Sequence, residues 1–86
     1  MWIVELSFTQ EPGRLAARPA HRSRLAELHE AGAVRMAGPL ADDSGAVIVF
    51  DAADRSALQQ LLDADPYYAT PGVSVEHVRE WKPFLD

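Results

Sequence analysis

The two residues best suited to do chemistry are a histidine and an aspartate in opposite halves of the chain, His21 and Asp65. His21 precedes Leu25 by one helical turn and Leu28 by two, so on a helix it lies within their apolar stripe. An imidazole buried there needs a hydrogen-bond partner. Asp65 falls at the C-terminal end of a second predicted helix, where the helix dipole disfavours a carboxylate, which indicates a local partner or a task.

A pairing of His21 with Asp65 predicts proton transfer. In a fold whose two helices pack side by side and antiparallel, the start of the first helix and the end of the second lie near the same end of the sheet. A carboxylate that holds one imidazole nitrogen fixes the tautomer and raises the basicity of the other nitrogen. The pair is then a general base or acid. The alternative interpretation, an ion pair that only links two helices, stays open.

The other two histidines give weaker signals. His29, eight residues after His21, is expected to be a half-exposed helix residue, with a place in the same site as the alternative. His77 is expected to join Glu5 and Arg35 in a polar cluster on the sheet, for which cross-strand ion pairing is an equal explanation.

The motifs of several large functional classes are absent. His21, His29 and Asp65 lack the i, i+4 histidine spacing of helical metal sites and the chain has no cysteine, so no metal ligands are predicted. There is no GxGxxG, P-loop or GxSxG motif, which removes the usual support for nucleotide binding and serine hydrolysis. Gly38-Pro39 would let a ligand approach the backbone closely, or would only shape a hairpin.

Composition indicates one small, soluble, globular domain over residues 1–86, because 48% of the residues are apolar and 24% are charged. The net charge of −5 argues against a nucleic-acid partner. No segment has the length and hydropathy of a membrane helix or a signal peptide, so no membrane partner is expected. The absence of cysteine fits a cytoplasmic protein.

Hydrophobic periodicity and turn residues predict six elements that would position these side chains. They are a strand over 2–8, a helix from Pro19 to a cap at Gly32, a hairpin of strands 33–40 and 45–50, a helix capped by Asp51 or Asp54 and ended by Pro66, and a strand from 73 to about 81. The order βαββαβ predicts an α+β, ferredoxin-like fold. Its four-stranded antiparallel sheet carries both helices on one face.

The predicted sheet is apolar on both faces. Trp2 and Val4 alternate with Ile3 in the first strand, and Val47 alternates with Ile48 in the third. Helices cover only one face, so the other needs a second cover. We therefore expect a homodimer that packs sheet on sheet.

Four segments of the chain resemble the YciI-like (YCII-related) family over nearly its whole length. They are RPAHRSRL at 18–25, AGP at 37–39, ADPY at 64–67 and KPF at 82–84. The resemblance implies a dimeric α+β barrel of ferredoxin-like subunits and matches His21 and Asp65 to the family's proposed catalytic dyad. We also expect Tyr67, in the ADPY segment, to be a substrate-binding residue.

Within that family most members have no known reaction. A characterised relative is a dehydrochlorinase that acts on a chlorinated hydroxyhydroquinone, and the muconolactone isomerases share the broader fold. The hairpin turn at 42–44 is shorter here than in many members. Since that loop often helps to close the pocket, the size of the substrate is left open.

Two hypotheses follow. The first is a cofactor-free enzyme that uses His21, oriented by Asp65, for elimination or isomerisation of a small hydroxylated cyclic or aromatic compound. Arg18 or Arg24 would bind a carboxylate or phenolate oxygen of that small molecule, with Gly38, Pro39 and Tyr67 nearby. The second is a non-catalytic ligand-binding or accessory dimer in which the His–Asp pair is structural.

Overall fold

The computed structural model describes residues 1–86 and contains four strands, two α-helices and one short 3₁₀ helix. In chain order they are β1 (Trp2–Phe8), α1 (Pro12–Glu30), β2 (Val34–Pro39), β3 (Gly45–Phe50), α2 (Arg55–Asp63), the 3₁₀ helix (Pro66–Ala69) and β4 (Val73–Glu80). The strands form one antiparallel sheet in the order β2-β3-β1-β4. The predicted βαββαβ order and the ferredoxin-like α+β class are confirmed.

The core lies on the face of the sheet that the helices cover. The two central strands place Val4 of β1 opposite Ile48 of β3, and Trp2 opposite Phe50, and all four side chains are buried. Leu58 of α2 is fully buried in the same cluster. Burying these apolar side chains is the main force that holds the helices on this face.

The opposite face of the sheet also carries apolar side chains, as the alternation predicts. Ile3 pairs with Val49, and Val49 pairs with Met36 on the edge strand β2. Val49 is buried, whereas Met36 is 65% exposed. A mixed face of this kind is what a second sheet would cover. The homodimer itself stays a prediction.

Helix α1 begins earlier than the sequence predicts, at Pro12, and Pro19 lies inside it. A proline costs nothing in the first turn of a helix, because its missing N–H has no partner there. The chain offers a proline at both places, and the helix starts at the earlier one. As a result Arg14 and Arg18 belong to α1 and lie one turn apart on its surface.

The C-terminal end of α1 is set by Gly32. This residue has φ 85°, in the left-handed region that favours glycine. Its N–H donates to the His29 carbonyl at 3.1 Å, and the Ala33 N–H donates to the Leu28 carbonyl at 2.9 Å. These two bonds are a Schellman motif, which stops the helix and turns the chain into β2.

The shorter helix α2 begins at one of its two predicted caps. The Asp54 side chain accepts the Ala57 N–H at 2.8 Å, so Asp54 and not Asp51 is the cap. The helix ends at Asp63, before the predicted stop at Pro66, and Pro66 instead begins the 3₁₀ helix. No helix of the structure has the length and hydropathy to cross a membrane.

Candidate active site

The predicted contact between His21 and Asp65 is present. His21 Nδ1 lies 2.7 Å from Asp65 Oδ2, and each residue is only 7% exposed. A carboxylate can only accept, so the Nδ1–H donates, and in the neutral form of the imidazole Nε2 carries the lone pair. Nε2 makes no hydrogen bond within the protein. The pair therefore has the geometry of an oriented general base.

Asp65 is positioned by the local fold of its own segment. It is the N-cap of the 3₁₀ helix, and its Oδ1 accepts the Tyr67 N–H at 3.0 Å. The sequence argument placed Asp65 at the unfavourable end of α2, and that cause is wrong, because α2 has already ended at Asp63. Each carboxylate oxygen thus has one partner, a backbone N–H and an imidazole N–H.

Aromatic rings hold the imidazole of His21 on two sides. Tyr67 stacks on it with a centroid distance of 3.9 Å and an interplanar angle of 7°. Tyr68 meets it edge-on at 5.3 Å, and Phe8 packs edge-on against Tyr67 at 6.3 Å. The ring plane of His21 is therefore fixed by packing as well as by the bond to Asp65.

His21 lies in the wall of a groove of about 600 Å³ between α1 and β2, which we call the α1–β2 groove. Tyr67 and the predicted ligand-binding residues Arg18, Gly38 and Pro39 also line it. Arg24, predicted as an alternative to Arg18, does not. A groove of this volume matches the size range of small-molecule sites.

The charged residues that line the groove are all arginines, namely Arg18, Arg22 and Arg35. Arg18 lies 3.2 Å from both carboxylate oxygens of Asp43, and Arg35 lies 2.7 Å from both oxygens of Asp86. Arg22 has no ion pair. The sequence analysis missed Arg22, although Arg18, Arg22 and His29 follow one another at helical spacing.

The loop between β2 and β3 contacts α1 through Asp43. Asp43 adopts φ 60°, which turns its carboxylate toward Arg18 and toward Arg14, whose Nη2 is 3.6 Å away. Asp42 accepts from both the Ser44 hydroxyl and the Ser44 N–H, and these hydrogen bonds lower the pKa of Asp42. The loop is short, as the sequence indicates, and its own side chains order it.

Arg14 is a buried cation that the sequence analysis did not single out. Its guanidinium lies over the Phe8 ring, 4.4 Å from the centroid, and its Nε donates to the Thr9 carbonyl at 3.3 Å. One terminal nitrogen, Nη1, is buried without a hydrogen-bond partner. Its guanidinium anchors α1 to the residues that follow β1.

The other two histidines have different surroundings. His29 is an exposed residue of α1 that lines the groove, and its Nδ1 donates to the Val34 carbonyl at 2.9 Å; a role for His29 in the site stays a prediction. His77 is exposed and opposite Glu5, as predicted. The cluster does not include Arg35, however, because Arg35 lies on β2, at the far edge of the sheet from β4.

Tyr68 and Asp65 face a second depression, of about 780 Å³, between α2 and β4. The Tyr68 hydroxyl is buried without a partner, as is Nε of Arg24. Burial raises the pKa of Tyr68 above its ordinary value, and the nearby charge of Asp65 raises it further, while Arg24 opposes both. The His–Asp pair thus separates two depressions.

No three of the His, Asp and Glu side chains come together as a metal site. The prediction that the site uses no metal and no cofactor stays a prediction.

A buried His–Asp pair beside an arginine-lined groove, on a βαββαβ scaffold, defines a class of small ferredoxin-like domain. Residues 1–82 match the family model of the YCII-related domain. The chain is also similar to "Protein YciI" of Escherichia coli O6:H1 and of Shigella flexneri. Each is 40% identical over 81 residues, which cover 83% of this chain and 80% of the relative. The chain therefore belongs to the YCII-related family, as the resemblance predicts.

Proposed function

We propose that this protein is a cofactor-free enzyme that moves a proton to or from a small molecule bound in the α1–β2 groove. The observation that carries the proposal is the His21–Asp65 pair. His21 Nδ1 lies 2.7 Å from Asp65, and His21 itself lines the groove. Asp65 orients the ring and stabilises the imidazolium that forms.

The reaction class is elimination or isomerisation of a small hydroxylated cyclic or aromatic compound. Nε2 of His21 takes a proton from a carbon of the substrate, and the electron pair of the broken C–H bond forms a new C=C bond. In an elimination the leaving group departs with its electrons. In an isomerisation the imidazolium returns the proton to a different carbon. Neither route needs an oxidant or a reductant.

The groove supports a ligand of this kind because its walls combine apolar and cationic groups. Phe8, Leu25 and Ile48 offer contact for a flat apolar ring, and the groove arginines supply guanidinium groups that can bind an oxygen anion. A second candidate function is a non-catalytic ligand-binding domain. It is favoured because Asp65 also caps the 3₁₀ helix, which is a structural role that needs no catalysis.

The test is hydrogen–deuterium exchange at carbon. A panel of catechols, hydroxyquinols, lactones and small carboxylates is incubated with the protein in D₂O and followed by NMR. We expect wild type to exchange a carbon-bound hydrogen of at least one compound. His21→Ala should abolish that exchange, whereas His77→Ala, which removes an exposed histidine far from the groove, should leave it unchanged.

Two results would contradict proton transfer by His21. Exchange that survives in His21→Ala would place the chemistry elsewhere. A panel compound that raises the melting temperature of wild type and His21→Ala equally, with no exchange in either, would favour the non-catalytic function. Melting curves of both variants, taken alongside, establish that they are folded.

A further inference from the structure

The charge pattern of the α1–β2 groove identifies one guanidinium that is free to bind a ligand. Arg18 and Arg35 already hold the carboxylates of Asp43 and Asp86, each through both oxygens. His29 uses Nδ1 on the Val34 carbonyl. Arg22 is exposed, lines the groove, and has neither an ion pair nor a side-chain hydrogen bond.

No acidic residue lines the groove, but Asp43 and Asp86 balance the charges of Arg18 and Arg35 from outside its walls, so Arg22 alone carries an unbalanced positive charge. The chain as a whole carries a net charge of −5, so a groove with only cationic charged groups is a local exception. A concave surface lined by one sign of charge concentrates ligands of the opposite sign. The groove therefore favours an anion over a neutral molecule of the same shape.

The protein itself shows which anion its groove arginines accept. Both arginines with a partner hold a carboxylate, and both do so with two oxygens. In each pair a single guanidinium nitrogen, Nη2, donates to both oxygens in charge-assisted hydrogen bonds. Arg22 and His21 both line the groove, although they are neighbours on α1 whose side chains leave the helix in different directions. A carboxylate held by Arg22 leaves the rest of a small molecule within reach of the imidazole.

We propose that Arg22 is the specificity-determining residue of the groove and that it selects a small monocarboxylate with a flat apolar body. The reaction at His21 rests on the proposed function. The carboxylate site does not, because it is argued from the charges that line the groove. It also moves the anion-binding role from Arg18 and Arg24 to Arg22. Asp43 and Asp86 occupy the two flanking arginines, which limits the site to one carboxylate.

Paired probes that differ only in charge test this site. Phenylacetate and its uncharged isostere phenylacetamide are titrated into 15N-labelled protein at low ionic strength and followed by NMR. An ion pair at an exposed guanidinium is weak, so wild type should bind the acid up to about fivefold more tightly than the amide. Added salt should narrow that preference.

The variants are Arg22→Gln, Arg22→Lys and, as a matched control, Arg55→Gln. Arg55 is an exposed arginine on α2 with no ion pair, outside the groove, and its substitution removes the same charge. Arg22→Gln should abolish the preference for the acid and leave amide binding unchanged. Arg22→Lys should keep part of the preference, and Arg55→Gln should keep all of it.

The proposal is wrong if wild type shows no preference for the acid, which includes failure to bind either probe. It is also wrong if the preference survives in Arg22→Gln or is lost equally in Arg55→Gln. Its failure is distinct from that of the proposed function. Exchange that depends on His21 but occurs only with uncharged compounds overturns the carboxylate site alone. A preference that depends on Arg22, without exchange that depends on His21, overturns proton transfer alone.

Discussion

The buried pair His21–Asp65 and the exposed pair Arg35–Asp86 have the same separation, 2.7 Å, and opposite surroundings. The side chains of the first pair are 7% and 7% exposed, and those of the second are 40% and 60% exposed. Water competes for the exposed pair, whose contribution to stability is then about 0–1 kcal/mol. The buried groups have no such substitute, so losing one leaves the other unsatisfied.

This difference assigns separate tasks to the two regions. A buried pair, also held by the stacked ring of Tyr67, keeps one geometry and is suited to aim a proton acceptor. The exposed pair Arg35–Asp86 competes with water, so it contributes little to holding one geometry. The distance within a pair does not show whether its geometry is fixed. The burial of the pair and the access of water to its atoms do.

Breaking the buried pair at Asp65 should give the largest effect on stability. Asp65→Ala removes the acceptor of the His21 N–H and the cap of the 3₁₀ helix together. We expect the free energy of unfolding at pH 7 to fall by about 2–4 kcal/mol, the sum of a charge-assisted hydrogen bond and a helix cap. Urea denaturation followed by circular dichroism measures it.

Two other aspartate variants control for these separate roles. Asp65→Asn keeps an oxygen that can accept the Tyr67 N–H, so its free energy of unfolding should fall by less than that of Asp65→Ala. Asp63→Ala removes a nearby exposed carboxylate that only accepts from Gln59, and should change stability by less than about 0.5 kcal/mol. If Asp65→Ala lowers the free energy of unfolding by no more than Asp63→Ala does, the buried pair is not the stronger contributor to stability that we infer.

Tyr68 sharpens the comparison, because it is a polar group that is buried and has no partner. Its pKa is raised in the folded state, so folding favours the protonated phenol. The raised pKa of Tyr68 therefore adds to the free energy of unfolding. This gain is fully present below the unfolded pKa of about 10 and is lost as the pH rises above that value. Tyr68→Phe removes this titration, so the variant should lose less stability than wild type between neutral pH and pH above about 10.

At neutral pH the same substitution should be neutral or stabilising, by up to about 1 kcal/mol, because it removes a buried hydroxyl that has no partner. Urea denaturation of wild type and Tyr68→Phe across the alkaline range measures both effects. Parallel curves of unfolding free energy against pH would show that the hydroxyl is in contact with water.

The elements that the sequence predicted well are those with a strong local pattern. The alternation in β1 and β3 reproduces the observed faces, with Val4 and Ile48 in the core and Ile3 and Val49 opposite. The capping role of Asp54 is equally local. The predicted start of α1 was wrong because Pro12 and Pro19 both suit a first helical turn. The sequence between them does not indicate which of the two begins the helix.

The site was predictable where it depended on topology. The order βαββαβ brings the segments of His21 and Asp65 together, as the sequence indicates, although His21 lies in the middle of α1 and Asp65 caps the 3₁₀ helix after α2. The ion pairs of Arg18 with Asp43 and of Arg35 with Asp86 were not predictable. They depend on a left-handed residue in a loop and on the path of the chain after β4, for which hydrophobic periodicity gives no signal.

The smallest effect is expected from breaking the exposed pair. After Glu80, at one edge of the sheet, the chain reaches Arg35 on the opposite edge strand, where Asp86 binds. Asp86→Asn should lower the unfolding free energy by less than about 1 kcal/mol, and moderate salt should remove most of the change because the pair is open to solvent. A double-mutant cycle with Arg35→Gln isolates the coupling between the two side chains. A coupling as large as the loss in Asp65→Ala, and insensitive to salt, would mean that this segment is a fixed part of the fold and that the two pairs do not differ as their exposure indicates.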